Sequence, residues 1–465
     1  MNPTLINPPQ PGTPPGVYTA GSLVYSKKSL VVLSLWLLWG DFAFYFFETV
    51  FGRFLPIFVK HLNASDTMIG IMTGSFAGLV NVLFLPSISR WCDNLRTSLG
   101  RRIPLLIVAT PLTAATVVAV GFAPDLGKWI SDTFHQSLPP AFTEANIVIW
   151  LMCLFVVTFH FLNMVLVNAY NWLIRDVVPL QVMSRFLAWF SIIGTLSSAI
   201  FLFFVFPHLM THRHEIFIGV GIAYTILFLL MCWKVKEGTY PPPQPEAERT
   251  GFFKTFVVYF RECLQIPLYR NFFLAYLLVT ASLNCAGNFI TLFASNTLQL
   301  QMGEMGHVFA MTALISLVFY YPLGWLCDRF SPIHVAIGAI AIIVVGAILA
   351  FFFIGSATGF LVYSIAFSLP TMAWNLAQRA TSMKLFPAEF FGQFSSGLNV
   401  FGCGALIIGN LLIGMLMDAT GSNYRVAFLW TVGISAVALV PMVLVLRGWQ
   451  KHGGHDNYVP PLPTR

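Results

Sequence analysis

Charge is what this sequence has least of: Asp, Glu, Lys and Arg make up 9% of 465 residues, against roughly a quarter in a soluble chain. That scarcity, beside 57% hydrophobic residues, leaves no room for a sizeable water-soluble domain. The seven cysteines include no CxxC pair and none falls in an outer loop, which speaks against a disulfide framework or a zinc site. There is no short apolar leader with a cleavage site. Walker, HExxH and DxxD motifs are missing too, so ATP drive and membrane-protease chemistry have no support. The net charge of +7 is spread over short loops, which argues against nucleic acid as a partner.

What is present is a series of long apolar runs. Twelve are each long enough to cross a bilayer as a helix, at about residues 30–55, 67–90, 103–122, 146–172, 184–206, 215–233, 270–296, 305–326, 332–354, 358–383, 391–416 and 424–446. The fold class is thus an all-α membrane protein. An even count puts both termini on one side. With that side cytoplasmic, twenty of the 25 Lys and Arg lie inside; only Arg53, Lys60, Lys128, Arg213 and Arg425 lie outside. This is the expected bias for a multi-pass protein of the cell membrane. Residues 1–29, with six prolines, read as an extended cytoplasmic tail, and 447–465 as a second one. The longest cytoplasmic connection, 234–269, separates a six-helix bundle at 30–233 from another at 270–446.

The two bundles repeat each other. Asp328-Arg329 follows helix 8 as Asp93-Asn94 follows helix 2, and Pro387 follows helix 10 as Pro179 follows helix 4. Asp93 to Pro179 is 86 residues and Asp328 to Pro387 is 59; the difference of 27 is about the size of the outside loop at 123–145. Parallel six-helix halves are a transporter architecture with the substrate site near the midplane.

The stretch Asp93-Asn94-Leu95-Arg96-Thr97-Ser98-Leu99-Gly100-Arg101-Arg102-Ile103-Pro104, in a six-plus-six chain, resembles the major facilitator superfamily. In detail it is similar to the branch of glycoside–pentoside–hexuronide:cation symporters and sucrose-transporter-like proteins. Asn94, Leu99 and Ile103 depart from the sucrose type, which usually has arginine there. The resemblance implies alternating access and a cytoplasmic gate at Asp93, Arg96, Gly100, Arg101, Arg102, Asp328 and Arg329. Melibiose-type members place sodium-binding carboxylates on helix 2; this helix 2 has none at membrane depth, which favours protons.

Polar residues at bilayer depth need a reason, because a charge there costs about 2.5–3.5 kcal/mol on insertion scales. In helix 1, Asp41, Tyr45, Glu48 and Gly52 fall within about 60° of one another, on a rod otherwise rich in Phe and Trp. Adding 243 gives Asn284, Asn288, Thr291 and Ser295 of helix 7, an uncharged counterpart expected to face the first stripe. Helix 4 carries His160, Asn163 and Asn171; adding 208 gives Ser368, Thr371 and Arg379 of helix 10, beside Trp374, Asn375 and Gln378, while Ser191 maps to Asn399. Proton coupling is expected at Asp41 and Glu48 with His160 as relay, although Glu48 could instead pair with Arg53. Tyr45, Asn163, Asn284, Asn288, Trp374, Asn375, Gln378 and Asn399 are the expected substrate contacts. Amides match hydroxyls and an aromatic plane suits a sugar ring, though a nucleoside would use the same groups.

The sequence thus reads as a secondary active transporter, a monomer without cofactor that draws on a proton gradient to import a sugar or glycoside. An exporter of amphipathic compounds and a non-transporting membrane sensor are the other readings. No catalytic constellation for an enzyme is visible.

Overall fold

A computed structural model of the chain describes residues 17–134, 139, 142–240 and 264–462. It contains twelve helices long and apolar enough to span a membrane: α1 (Lys27–His61), α2 (Asp66–Asn94), α3 (Ile103–Phe134), α4 (Glu144–Val177), α5 (Met183–His208), α6 (Arg213–Lys234), α7 (Pro267–Thr297), α8 (Met302–Phe330), α9 (Pro332–Phe353), α10 (Ala357–Leu385), α11 (Phe391–Ala419) and α12 (Val426–Lys451). The starts have local causes. Side-chain oxygens of Ser26, Ser65, Thr143 and Ser356 accept a backbone N–H at the first turns of α1, α2, α4 and α10. Gln301 and Glu304 form a reciprocal cap on α8, and Pro267 and Pro332 open α7 and α9.

Three expectations change. The loop expected at 123–145 is largely helix, because α3 runs on to Phe134. Its Trp129 and Phe134 pack edge to face with their rings 6.4 Å apart. The tail expected to be extended is folded from Val17: β1 (Val17–Ala20) pairs antiparallel with β2 (Leu23–Ser26), and Gly21 turns the hairpin at φ +56°. Alternating Val, Tyr and Thr residues around a glycine make that hairpin possible. The distal tail is also anchored: Tyr458 donates to the Leu385 carbonyl and Tyr269 to that of Pro461. Much of the expected linker, 241–263, lies outside the described residues.

The repeat extends to a backbone irregularity. α1 has a wide π-type turn at Val50–Phe54 and α7 has one at Phe293–Thr297, related by the same 243 residues as the polar stripes. Such a turn inserts a residue and shifts the phase of the helix beyond it. Gly52 and Ser295 therefore leave the stripes to which a regular helix would assign them; Ser295 donates to Asn296 and Leu292.

With an even number of spans, both chain ends lie on one face, here the terminal face; the other is the far face. The halves meet on the far side. Gly70, Gly74 and Gly78 turn one side of α2 to α11, where a Cβ on Gly70 would overlap the Asn410 carbonyl and one on Gly78 would reach Cys403 and Ile407. Ser75 donates to the Ile407 carbonyl at 2.8 Å. Between α5 and α8, Gly306 lies against the Leu202 carbonyl in the same manner. One apolar cluster crosses from the first half into the far-face parts of the second, including Phe289, Phe293, Ile413 and Phe428. The terminal-face core of the second half, around Phe272, Phe273, Phe394 and Trp449, is a separate cluster. The bundle is a wedge, closed at the far face and open toward the terminal face, where Trp91, Trp189 and Tyr321 stand exposed.

A polar lock crosses the seam at its far end. The Asp418 carboxylate, at the end of α11, accepts the backbone N–H groups of Asp66 (2.7 Å) and Thr67 (2.9 Å) and the Thr67 hydroxyl (2.5 Å). One half thereby caps a helix of the other, and the α2 dipole favours the negative charge. Asp66, 0% exposed, accepts from Lys60 (3.0 Å), Ser422 (2.5 Å) and Tyr424 (2.8 Å). Replacing Asp418→Asn removes the charge and at least one of these bonds. It should weaken the seal by about 1–2 kcal/mol and raise far-face labelling of a cysteine introduced at Thr67. Unchanged labelling in a folded variant would show that the lock does not hold the seam.

Candidate functional site

The wedge draws its polar lining from both halves. On α1, Asp41 is 0% exposed and neither carboxyl oxygen has a hydrogen-bond partner among the described residues. The nearby Tyr170 hydroxyl is directed elsewhere, donating to the Leu37 carbonyl at 2.5 Å. One turn on, Tyr45 packs against Phe190 and covers Gly194, where any Cβ would strike its ring. Glu48 forms no ion pair with Arg53 among the described residues. Its partner is Asn163, at 3.5 Å, while Arg53 lies over the Phe309 ring of α8. Among the described residues, the first stripe thus has no ion pair with a cation of its own half. His160 is held by the Met72 carbonyl at 3.0 Å and wedged against Phe51 and Phe159. A carbonyl can only accept, so Nε2 carries the proton there.

On the second half, Asn284 of α7 and Asn375 and Arg379 of α10 are exposed, as is Asn399 of α11. Exposed polar groups at this depth face water or protein rather than lipid, which sets them along the open wedge. Asn284 spends one N–H on the Thr280 carbonyl, and Gln378 makes a long 3.5 Å contact to the Asn375 carbonyl. Asn288 reaches across the seam to the Thr73 hydroxyl at 2.9 Å, so it ties the halves together in this state. Trp374 does not reach the wedge: at 2% exposure it belongs to the core of the second half. The helix-10 stripe read from sequence therefore splits, its amides and arginine turned out and its indole turned in.

The loop between α2 and α3 closes on itself and on its own half. Gly100, at φ +106°, leaves no space for a Cβ beside the Glu237 side chain. The Glu237 carboxylate accepts the backbone N–H groups of Arg101 (3.0 Å), Arg102 (2.7 Å) and Ile103 (2.6 Å), capping α3. Arg102, nearly buried, donates to Asp93 at 2.7 Å and to Asp176 at 3.3 Å; Arg101 reaches Asp176 at 3.1 Å and lies over the Tyr240 ring. Tyr240 donates to Glu237 at 2.7 Å and its hydroxyl lies 3.1 Å from Asp176, and burial together with those carboxylates raises its pKa. Arg96 turns back to the carbonyls of Asp93 and Leu95. In the second half, Ser331 alone joins α8 to α9, at φ +69°. Asp328 and Arg329 have no ion pair among the described residues, and Arg329 lies over Trp325.

Sequence reading overlooked Asp176, Glu237 and Tyr240, and the Asp66–Asp418 lock. Asp176 stood in plain view beside Arg175, and an acidic residue at each end of a helix was a usable signal for the lock. Glu237 offered none, being one charge among several in a linker. Glu237→Ala leaves three N–H groups of α3 without their acceptor. It should lower stability by about 1–2 kcal/mol, read as an earlier thermal transition; an unshifted transition would mean that water replaces the carboxylate without loss.

The twelve-helix fold is shared with solved transporter structures. No curated protein sequence matches the chain. Among solved structures, a bacterial homologue of the human lysosomal transporter Spinster, in an inward-facing and unoccupied conformation, aligns with TM-score 0.69 at 16% identity, covering 94% of this chain and 100% of that one. A bacterial homologue of the iron transporter ferroportin, in an inward-facing state, aligns with TM-score 0.66 at 14% identity over 90% and 99%. The nucleoside transporter NupG aligns with TM-score 0.65 at 16% identity over 89% and 99%. These likenesses establish the fold. A family model described as MFS/sugar transport protein matches residues 37–391, and the chain belongs to that family of the major facilitator superfamily, a multi-pass membrane transporter.

Proposed function

We propose that the protein imports a sugar or glycoside together with a proton, as a monomer in the cell membrane with its terminal face in the cytoplasm. The orientation rests on the Lys and Arg excess in the terminal-face loops. The observation that carries the coupling is Asp41: a fully buried carboxyl with both oxygens unpartnered among the described residues, in the middle of α1. An uncompensated charge at that depth is expensive, so the ionised form needs a cation, water or a moved helix. Protonation removes the need. A group with that property biases alternating access, because its two protonation states favour different packings of α1. Glu48, held only by the Asn163 amide among the described residues, is a second carrier on the same stripe, and His160 a relay once its bond to Met72 opens.

Substrate recognition falls to Asn284, Asn375, Gln378 and Asn399 on the second half, facing Tyr45 and Asn163 on the first. Their spare donors and acceptors match a ligand with several hydroxyls. The Asp93–Arg102–Asp176 cluster serves as the cytoplasmic gate, released here from the second half and free to receive Asp328 and Arg329 when the wedge closes. A proton entering across about 100 mV supplies about 2.3 kcal/mol, enough to concentrate a neutral solute about 50-fold.

Uptake of labelled sugars, glycosides and nucleosides into proteoliposomes, with and without an inward proton gradient, tests the reading. In Asp41→Asn, accumulation against a gradient should be abolished, while exchange of bound substrate continues. Accumulation that stays intact and pH-dependent in that variant would remove Asp41 from coupling.

A further inference from the structure

We infer that the second half binds a phosphoryl oxyanion at the terminal face, in a recess between the start of α9 and the ends of α10 and α12. The inference does not depend on the transport reading.

The first half covers the equivalent helix start with its own carboxylate. Glu237 accepts three N–H groups at the beginning of α3, and Asp176 at the end of α4 faces Arg101 and Arg102. In the repeat, α9 stands where α3 does. Serine is a favoured cap, yet Ser331, at φ +69°, makes no side-chain capping bond to α9. Pro332 has no N–H, and Val335 donates to the Ser331 carbonyl at 3.2 Å. The N–H groups of Ile333 and His334 between them have no acceptor among the described residues. The offset of 208 that relates α4 to α10 carries Asp176 to Lys384, so the charge at that place is reversed. The second half thus sets unspent N–H groups and a cation where the first half has an acid, and both favour an anion.

Ser331, Pro332, Ile333, Thr381, Lys384 and Trp449 line the recess, which has about 200 Å³ of space including its open mouth. The enclosed part has room for one water-sized group. One oxygen of a phosphoryl group is of that size, and the others stay at the mouth. Lys384 is exposed and has no ion pair among the described residues, with Asp328 or any other acid. A lysine in the last turn of a helix suits the helix dipole by itself, so Lys384 alone would not mark a site. Thr381 does. It is 1% exposed, and its hydroxyl has no hydrogen-bond partner among the described residues. Earlier on the same helix, Thr371 spends its hydroxyl on the Phe367 carbonyl at 2.9 Å. A buried hydroxyl left unpaired is costly, and an oxyanion oxygen in the recess accepts from it. Donors from α9 and from α10 converge from different directions, which suits a tetrahedral group better than a planar carboxylate, and lysine serves phosphate as a point charge. Two sources offer that group at a membrane face: a lipid headgroup, and phosphate in the water.

The melting temperature of the purified full-length protein tests this in two settings. One is detergent solution titrated with sodium phosphate, against sodium chloride at equal ionic strength. The other is nanodiscs of phosphatidylcholine with rising fractions of phosphatidylglycerol. A rise with phosphate alone assigns the site to the soluble ion, a rise with phosphatidylglycerol alone to the headgroup, and a rise with both to the phosphoryl group from either source. Lys384→Gln and Thr381→Val should each weaken the apparent affinity about tenfold or more. Without ligand, Thr381→Val should melt no earlier than the parent, because valine removes an unpaired hydroxyl. Stabilisation by neither probe overturns the inference. So does stabilisation undiminished in either variant, which marks an adventitious ion only. An earlier unliganded transition in Thr381→Val overturns it too, since the hydroxyl would then serve the fold.

Discussion

The backbone contact between α2 and α11 is the constraint on which the remainder of this structure depends. Apolar burial cannot drive two helices together where the surroundings are themselves apolar; close packing and hydrogen bonds must do it. The glycines of α2 let the Asn410 carbonyl approach as no larger residue would, and Asp418 brings a second carboxylate, from the other half, to the start of α2. Once the far ends are joined in this way, the remaining length of each helix diverges toward the terminal face. The exposure of Asn375, Arg379 and Asn399 follows from that divergence.

The halves are alike in path and unlike in chemistry. The first half concentrates its charge at the terminal face, where Glu237 ties the beginning of the linker to α3 and Ser22 of the hairpin accepts the Thr239 N–H at 2.8 Å. Tail, linker and loop are thereby one body with the first bundle. The second half has no such cluster among the described residues; a single residue connects α8 and α9, and the distal tail is tied down by tyrosines. Rocking of one bundle on the other therefore carries each tail with its own half.

Much of this was legible in the sequence. Apolar length gave the twelve spans, and the offset of 243 found both the paired stripes and, unforeseen, the paired wide turns. Spacing alone could not show which polar residues would be covered. Trp374 and Asn375 are neighbours in sequence, yet one lies in the core and the other in the wedge, because a single step around α10 decides between them. Helix arithmetic failed at Gly52 and Ser295, where an inserted residue breaks the 100° phase. For the lock, the two acidic helix ends were visible but their pairing was not: Asp66 and Asp418 are 352 positions apart, and only the packing of α2 on α11 joins them.

The wide turn in α1 divides that helix into a stem bearing Asp41 and a short tip, Leu55–His61, bearing Lys60. The tip reaches the far-face lock through Lys60, while the stem is held by α5 through bonds such as Ser197 to the Phe42 carbonyl at 2.6 Å. Two movements can therefore run on separate clocks. A single loosened turn relaxes in nanoseconds to microseconds, whereas rotation of a whole bundle takes microseconds to milliseconds. Many brief partings of Lys60 from Asp66 can then occur for each full reversal of the wedge, and the stem bearing Asp41 stays in place through all of them.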